Sequence, residues 1–188
     1  MTIPTLETAR LRLRPFDVAD APAVQALAGA REVARNTLMI PHPYPDGVAG
    51  EWIATHEQLV ASEREVDMAI VLRESGELIG AIGLILKREH DTGEIGYWIG
   101  VPYWGRGYAT EAAGAVIDYG FRVWSLNRIE AYHFSRNPAS GRVMVKNGMR
   151  HEGTLRQRHK KWGEYLDDEV YAILRSEWES RSYGSRTP

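Results

Sequence analysis

The chain contains no cysteine among its 188 residues. That absence excludes disulfides, thiolate metal sites and any acyl-cysteine intermediate, and it is in keeping with a reducing compartment. Nowhere does an apolar run approach the length needed to span a bilayer, and the N-terminal segment has neither a long apolar core nor a small-residue cleavage pattern. A cytoplasmic protein with no membrane partner is expected. Basic residues are not in excess: 23 Lys and Arg stand against 25 Asp and Glu, a formal net charge of −2. The electrostatic footprint of a nucleic-acid binder is therefore missing. No Gly-Lys pair exists, so the phosphate loop of the P-loop nucleotidases is excluded. The six histidines, at 42, 56, 90, 133, 151 and 159, include no His-x-x-x-His pair, and no metal is expected.

What is present is organised around Glu94 to Trp124. Glu94 to Val101 is aromatic and β-branched, as a buried strand would be. Pro102 stops the ladder, Gly105 and Gly107 follow, and Ala109, Ala112, Ala113, Val116, Ile117 and Gly120 recur at helical spacing. The order strand, glycine turn, helix suits an anion, because the first N–H groups of a helix lack internal partners and carry partial positive charge. Successive N–H groups from Gly105 to Thr110 can converge on a pyrophosphate. A dinucleotide fingerprint would use Gly105 and Gly107, with Glu130 as its ribose-binding acid; Thr110 stands where its third glycine belongs, and Glu130 falls at the wrong end of its strand.

The run Pro102-Tyr103-Trp104-Gly105-Arg106-Gly107-Tyr108-Ala109-Thr110-Glu111-Ala112 resembles the acetyl-CoA loop of the GCN5-related N-acetyltransferases, the GNAT superfamily, in the branch of the ribosomal-protein N-terminal acetyltransferases. Trp104 replaces the superfamily's Gln or Arg, as is typical of that branch. The resemblance implies a mixed α/β fold with antiparallel N-terminal strands, a central parallel pair that splays apart, and helices on both faces. It also implies that the pantetheine arm of acetyl-CoA lies in the splay, pairing with backbone near Ile99 and Val101. The run Asn137-Pro138-Ala139-Ser140, with Asn147-Gly148 after it, matches the family's second CoA motif. There Asn137 would contact the pantetheine arm and the Ser140 hydroxyl would face the thiol. As plain sequence, the same residues read as a helix from Pro138 to Asn147 with Asn137 as its cap and Gly148 as its stop.

The rest of the chain fits that frame. Thr8 to Phe16 alternates and reads as the first strand, its arginines at 10, 12 and 14 forming a solvated face. Asp17 or Asp20 caps the next helix, and Asp46, after a proline-rich stretch, caps a second. The segment before that second helix matches the family's acceptor wall, for which Tyr44 and Trp52 are the candidates; both also suit packing. Strands over Met68–Arg73 and Leu78–Leu86 lead into the central strand, and Arg128–Phe134 is parallel to it through the helical crossover. Met149–Leu155 and Asp167–Leu174 close the sheet, with Arg156–Lys161 a solvated loop between them. Residues 1–179 make one domain, and the polar stretch 180–188 is expected to lack order.

Acetyl transfer needs an unprotonated amine, stabilisation of the oxyanion and a proton for the leaving thiolate. Backbone N–H groups near Ile99 to Val101 are placed to hold the oxyanion, and Ser140 to serve the sulfur. The resemblance implies a base at Glu94 on the central strand or at His159, which falls where the branch carries a glutamate. With no cysteine to carry the acyl group, direct transfer in a ternary complex is expected, and the resemblance implies a protein N-terminal amine as acceptor; a small amine or aminoglycoside-type acceptor, or an acyl-CoA sensor without turnover, are the rivals. A monomer or homodimer is expected.

Overall fold

The computed structural model describes residues 3–184. Eight strands form one mixed sheet: β1 (Leu6–Glu7), β2 (Leu11–Arg14), β3 (Glu65–Leu72), β4 (Leu78–Lys87), β5 (Thr92–Ile99), β6 (Arg128–Phe134), β7 (Arg150–Lys161) and β8 (Glu164–Leu174). Their order is β1-β2-β3-β4-β5-β6-β8-β7. Every neighbouring pair is antiparallel except β5 and β6, which the helix α4 (Tyr108–Arg122) joins as a crossover. A doubly wound dinucleotide fold would need many such parallel pairs; one is present.

Helices cover both faces. Against one lie α4 and α5 (Pro138–Lys146); against the other lie α1 (Ala21–Ala28) and α3 (Val48–Ala61). Alternation sorts the strands between them. On β3, Met68 and Ile70 join the α4 side, while Ala69 and Val71 join the α1 and α3 side. Being covered twice, β3 and β4 read as nearly unbroken apolar runs. Gly120 lets α4 lie close on β6, since a Cβ there would come within 2.8 Å of Ile129.

Several expectations are corrected. The first strand is a hairpin, β1 and β2, closed by Thr8 N–H donating to the Leu11 carbonyl. Its arginines at 10 and 12 are exposed, as expected, but each of the three is also paired: Arg12 with Glu7, Arg14 with Asp20, and Arg10 with Glu111 of α4. Asp17 caps a short 3-10 turn, Val18–Asp20, that leads into α1. The helix α2 (Arg31–Arg35) is too short to leave a periodic signature and was not expected. Gly47, in the left-handed region at φ 85°, caps α3, whereas Asp46 accepts from Gln25. Arg156–Lys161 is not a loop but part of β7, which turns through Trp162 and Gly163, both at positive φ, directly into β8. The helix α6 (Arg175–Gly184) takes in residues 180–184 of the stretch expected to lack order, and 185–188 lie outside the described residues. Among the described residues no helix is long and apolar enough to cross a membrane.

Candidate active site

The parallel ladder between β5 and β6 runs only from Thr92↔Arg128 to Ile95↔Ala131. Beyond it, Gly96–Ile99 stay on β4 and Tyr132–Phe134 stay on β8. The two strands part, and a wedge opens at the centre of the sheet.

At the mouth of the wedge the chain turns through a 3-10 turn, Val101–Tyr103, into the glycine loop. Gly105 and Gly107 lie at φ 75° and 81°, the left-handed region that side chains disfavour, and Gly107 is the N-cap of α4. Trp104, Gly105, Arg106 and Gly107 are exposed. The expected anion cradle is thus a surface loop at the N-terminus of a 15-residue helix. Two braces hold it. The Trp104 indole donates to the Ile99 carbonyl at 2.6 Å, and the Arg10 guanidinium donates to the Arg106 carbonyl at 2.9 Å and to Glu111 at 2.7 Å while lying over the Tyr108 ring. Thr8 closes the brace on Glu111 at 2.6 Å, and these contacts keep its carboxylate low against the pull of burial.

The backbone near Ile99 and Val101 is more committed than the sequence suggests. The Ile99 carbonyl serves Trp104, the Val101 carbonyl accepts from the Trp104 N–H, and the Gly100 N–H donates to Ile79. Ala109 and Thr110 are half-buried in the first turn of α4, and the Thr110 carbonyl accepts from Asn147, which ties α4 to α5.

Across the wedge stands α5. Asn137 occupies its N-cap position, yet the side chain makes no capping bond. Helix initiation does not use that amide, so it remains available to a ligand. Ser140 Oγ lies 2.7 Å from the hydroxyl of Tyr97, a residue of β5 beyond the parting point. Burial pushes the Tyr97 hydroxyl up to about 12, so it stays protonated and able to donate. Tyr97 was not singled out from the sequence; its signal was position, two residues along the strand from Ile95 on the same face.

Glu94 and His159 lie on the opposite face. Glu94 sits 3.6 Å from Lys87, which also holds Glu130 at 2.9 Å. Glu130 is therefore bound to Lys87 and Arg128, inside the paired part of the sheet. His159 Nδ1 is 2.8 Å from Asp168, a carboxylate buried to 2% exposure, and its ring faces Phe134 at the end of β6. Trp52 packs edge-on against Phe16 and His56, and Tyr44 lies against Gly29; both join Trp98 of β5 in the apolar cluster of α1 and α3. The structure thus separates two sets: Ser140, Asn137 and the glycine loop with α4 and α5, and Glu94, His159, Tyr44 and Trp52 on the other face. The wedge connects them.

The profile of the acetyltransferase (GNAT) domain matches residues 10–150. The chain belongs to the GNAT acetyltransferases. An uncharacterised N-acetyltransferase of Bacillus subtilis, YoaA, is 37% identical to this GNAT enzyme over 173 residues, covering 92% of this chain and 97% of YoaA. The ribosomal-protein-serine acetyltransferase of Escherichia coli is 32% identical over 108 residues, 57% of this chain and 60% of its own. Among solved structures, a GNAT-family acetyltransferase from Bacillus anthracis superposes with a TM-score of 0.82 at 28% identity, covering 92% of this chain and 99% of its own.

Proposed function

We propose that this N-acetyltransferase moves an acetyl group from acetyl-CoA to a primary amine by direct transfer within a ternary complex. The observation that carries the reading is the wedge: β5 and β6 part after Ile95↔Ala131, and the Ser140–Tyr97 hydroxyl pair stands beside the opening. Acetyl-CoA supplies an acetyl group activated as a thioester. The N–H groups from Gly105 to Thr110 hold its pyrophosphate, the uncommitted Asn137 amide meets its pantetheine arm, and Ser140 hydrogen-bonds the departing sulfur. The residues present fit that ligand, because both positive-φ glycines are exposed at the start of a long helix. Since the chain has no cysteine, the acyl group has no thiol to rest on.

The acceptor is a protein N-terminal amine, a reading supported by the name of the E. coli relative, with residues 1–179 acting as one transferase domain. Tyr44 and Trp52 form its wall, with Glu94 and His159 as candidate bases on the same face. A small cationic amine is the second reading, favoured by the carboxyl groups of Glu65, Asp67 and Glu94 on the acceptor face.

Thiol release from acetyl-CoA tests the reading, with a cell extract separated by size into macromolecular and small-molecule acceptor pools; the protein contributes no thiol of its own. Release with either pool establishes turnover and names the acceptor class. Binding of acetyl-CoA without release from either pool would make the protein a sensor. In the active enzyme Ser140→Ala should lower kcat by about 10- to 100-fold, toward the lower end of what acid–base groups contribute, and leave acetyl-CoA affinity unchanged.

A further inference from the structure

On the face that carries Trp52 and Trp98, one row of the sheet has no side chains between Asp67 and the wedge. The ladders set Asp67 opposite Gly83 and Gly83 opposite Gly96, and Gly96 directly follows the last residue of β5 that pairs with β6. The rows on either side are filled, by Ile85 and Glu94 and by Ala81 and Trp98. A Cβ placed on Gly96 would meet no atom within 4 Å, whereas one on Gly83 would come within 2.6 Å of Asp67 Oδ1. The Asp67 carboxyl therefore leans across Gly83, toward open space over Gly96 that adjoins the wedge.

Asp67 is only 6% exposed, and its Oδ2 has no hydrogen-bond partner. The nearest nitrogen, His56 Nε2, is 3.7 Å away, too far for a hydrogen bond. It is not an ion pair near neutral pH either, because burial lowers the His56 imidazole to about 4. A ligand donor over Gly96 would meet the other oxygen, Oδ1, which leans over Gly83 beside Glu65 and shares a hydrogen bond with it.

We propose that the acceptor's amino group seats over Gly96 and is held and deprotonated there by Asp67. The inference deepens the transferase reading above and rests on it. Directly opposed residues of antiparallel strands lie about 5 Å apart, so a nitrogen over Gly96 is within reach of a carboxyl leaning over Gly83, directly or through one water. The acceptor arrives as an ammonium and gives one proton to solvent. As the nitrogen bonds to the acetyl carbonyl carbon and the carbon–sulfur bond breaks, its next proton passes to Asp67. The thiolate takes a proton from the Ser140 hydroxyl, which solvent restores through Tyr97, and the products are an amide and a thiol. The groups facing Asp67 are Glu65 on its own strand and His56 from α3, with Glu94 of β5 acting on Glu65; β4 presents only Gly83 and Ile85. Burial, then repulsion from Glu65, raises the Asp67 carboxyl to about 8, close to where a base works best at neutral pH. This seat takes a primary amine that is cationic in water.

The test pairs Asp67→Asn with Gly96→Ala, using spermidine and a peptide with a free N-terminal serine as acceptors and calorimetry for acetyl-CoA. Asp67→Asn should lower kcat/KM for the acceptor by ~10²-fold or more, with acetyl-CoA affinity unchanged, and should remove the Asp67 limb from the pH profile of kcat/KM, leaving only the rise set by the acceptor's own ammonium, a readout that a purely structural role would not move. Gly96→Ala adds a methyl that clashes with nothing in the protein, so it should fold normally and still lower kcat/KM. Wild-type kinetics in both variants, or an unchanged pH profile in Asp67→Asn, would overturn the assignment. A wild-type protein that binds acetyl-CoA and acetylates neither amine would overturn the transferase reading first, and this inference with it.

Discussion

A carboxyl group buried in an apolar cluster weakens the fold that contains it, and Asp67 offers a way to measure this. Its folded pKa is raised to about 8, against about 3.9 in an unfolded chain. Between those values the folded protein keeps a proton that the unfolded chain has released, so stability falls as pH rises from about 4 to about 8. His56 acts in the other direction: its imidazole stays neutral down to about 4 when folded and takes a proton near 6.5 when unfolded, so stability falls as pH drops through that interval. Asp67→Asn should accordingly melt above wild type at pH 8, with the advantage shrinking toward pH 4 and the His56 limb retained. Thermal melts across that range check it. Nothing local in the sequence marks this residue, because Glu65-Val-Asp-Met-Ala-Ile-Val-Leu72 reads as a buried strand with two acids at its start. The glycines that give Asp67 its outlook lie on two other strands, and only the register brings them together.

At the scale of elements, what was legible was local. Gly105 and Gly107 announce their backbone in the sequence, because positions at φ 75° and 81° cost other residues about 1–2 kcal/mol. Gly107→Ala should therefore misplace the start of α4 and weaken acetyl-CoA binding by about 10-fold, the equivalent of 1.4 kcal/mol, with little change in kcat; calorimetric titration reads it. The β7–β8 hairpin was only half legible. Its outer strand is the edge of the sheet and is exposed along most of its length, so Arg156 to Lys161 shows no apolar period. The register also slips between Leu155 and His159, where Gln157 takes a positive φ and its N–H bonds Asp167. At the tip, Lys161 is buried and donates to the carbonyls of Leu38 and Ile40, which joins the hairpin to the proline-rich segment. A lysine satisfied by two carbonyls a hundred residues away looks, in the sequence, like any solvated lysine.

For the whole molecule, the mixed sheet and its helices on both faces followed from the order of segments, because three antiparallel strands before a single crossover leave few topologies. The parting of β5 from β6 did not. It depends on each strand keeping its outer neighbour, β4 for one and β8 for the other, past the point where they stop pairing. Those outer ladders hold the two strands apart, so a pantetheine arm entering the wedge would have no ladder to unzip. Association with acetyl-CoA should then be set by diffusional encounter, giving in stopped-flow fluorescence one phase whose rate rises linearly with acetyl-CoA concentration; a plateau would reveal a slow opening step in the sheet. An entrance held apart by the sheet itself would also let CoA leave by the way it came, so thiol release and CoA departure would share one opening.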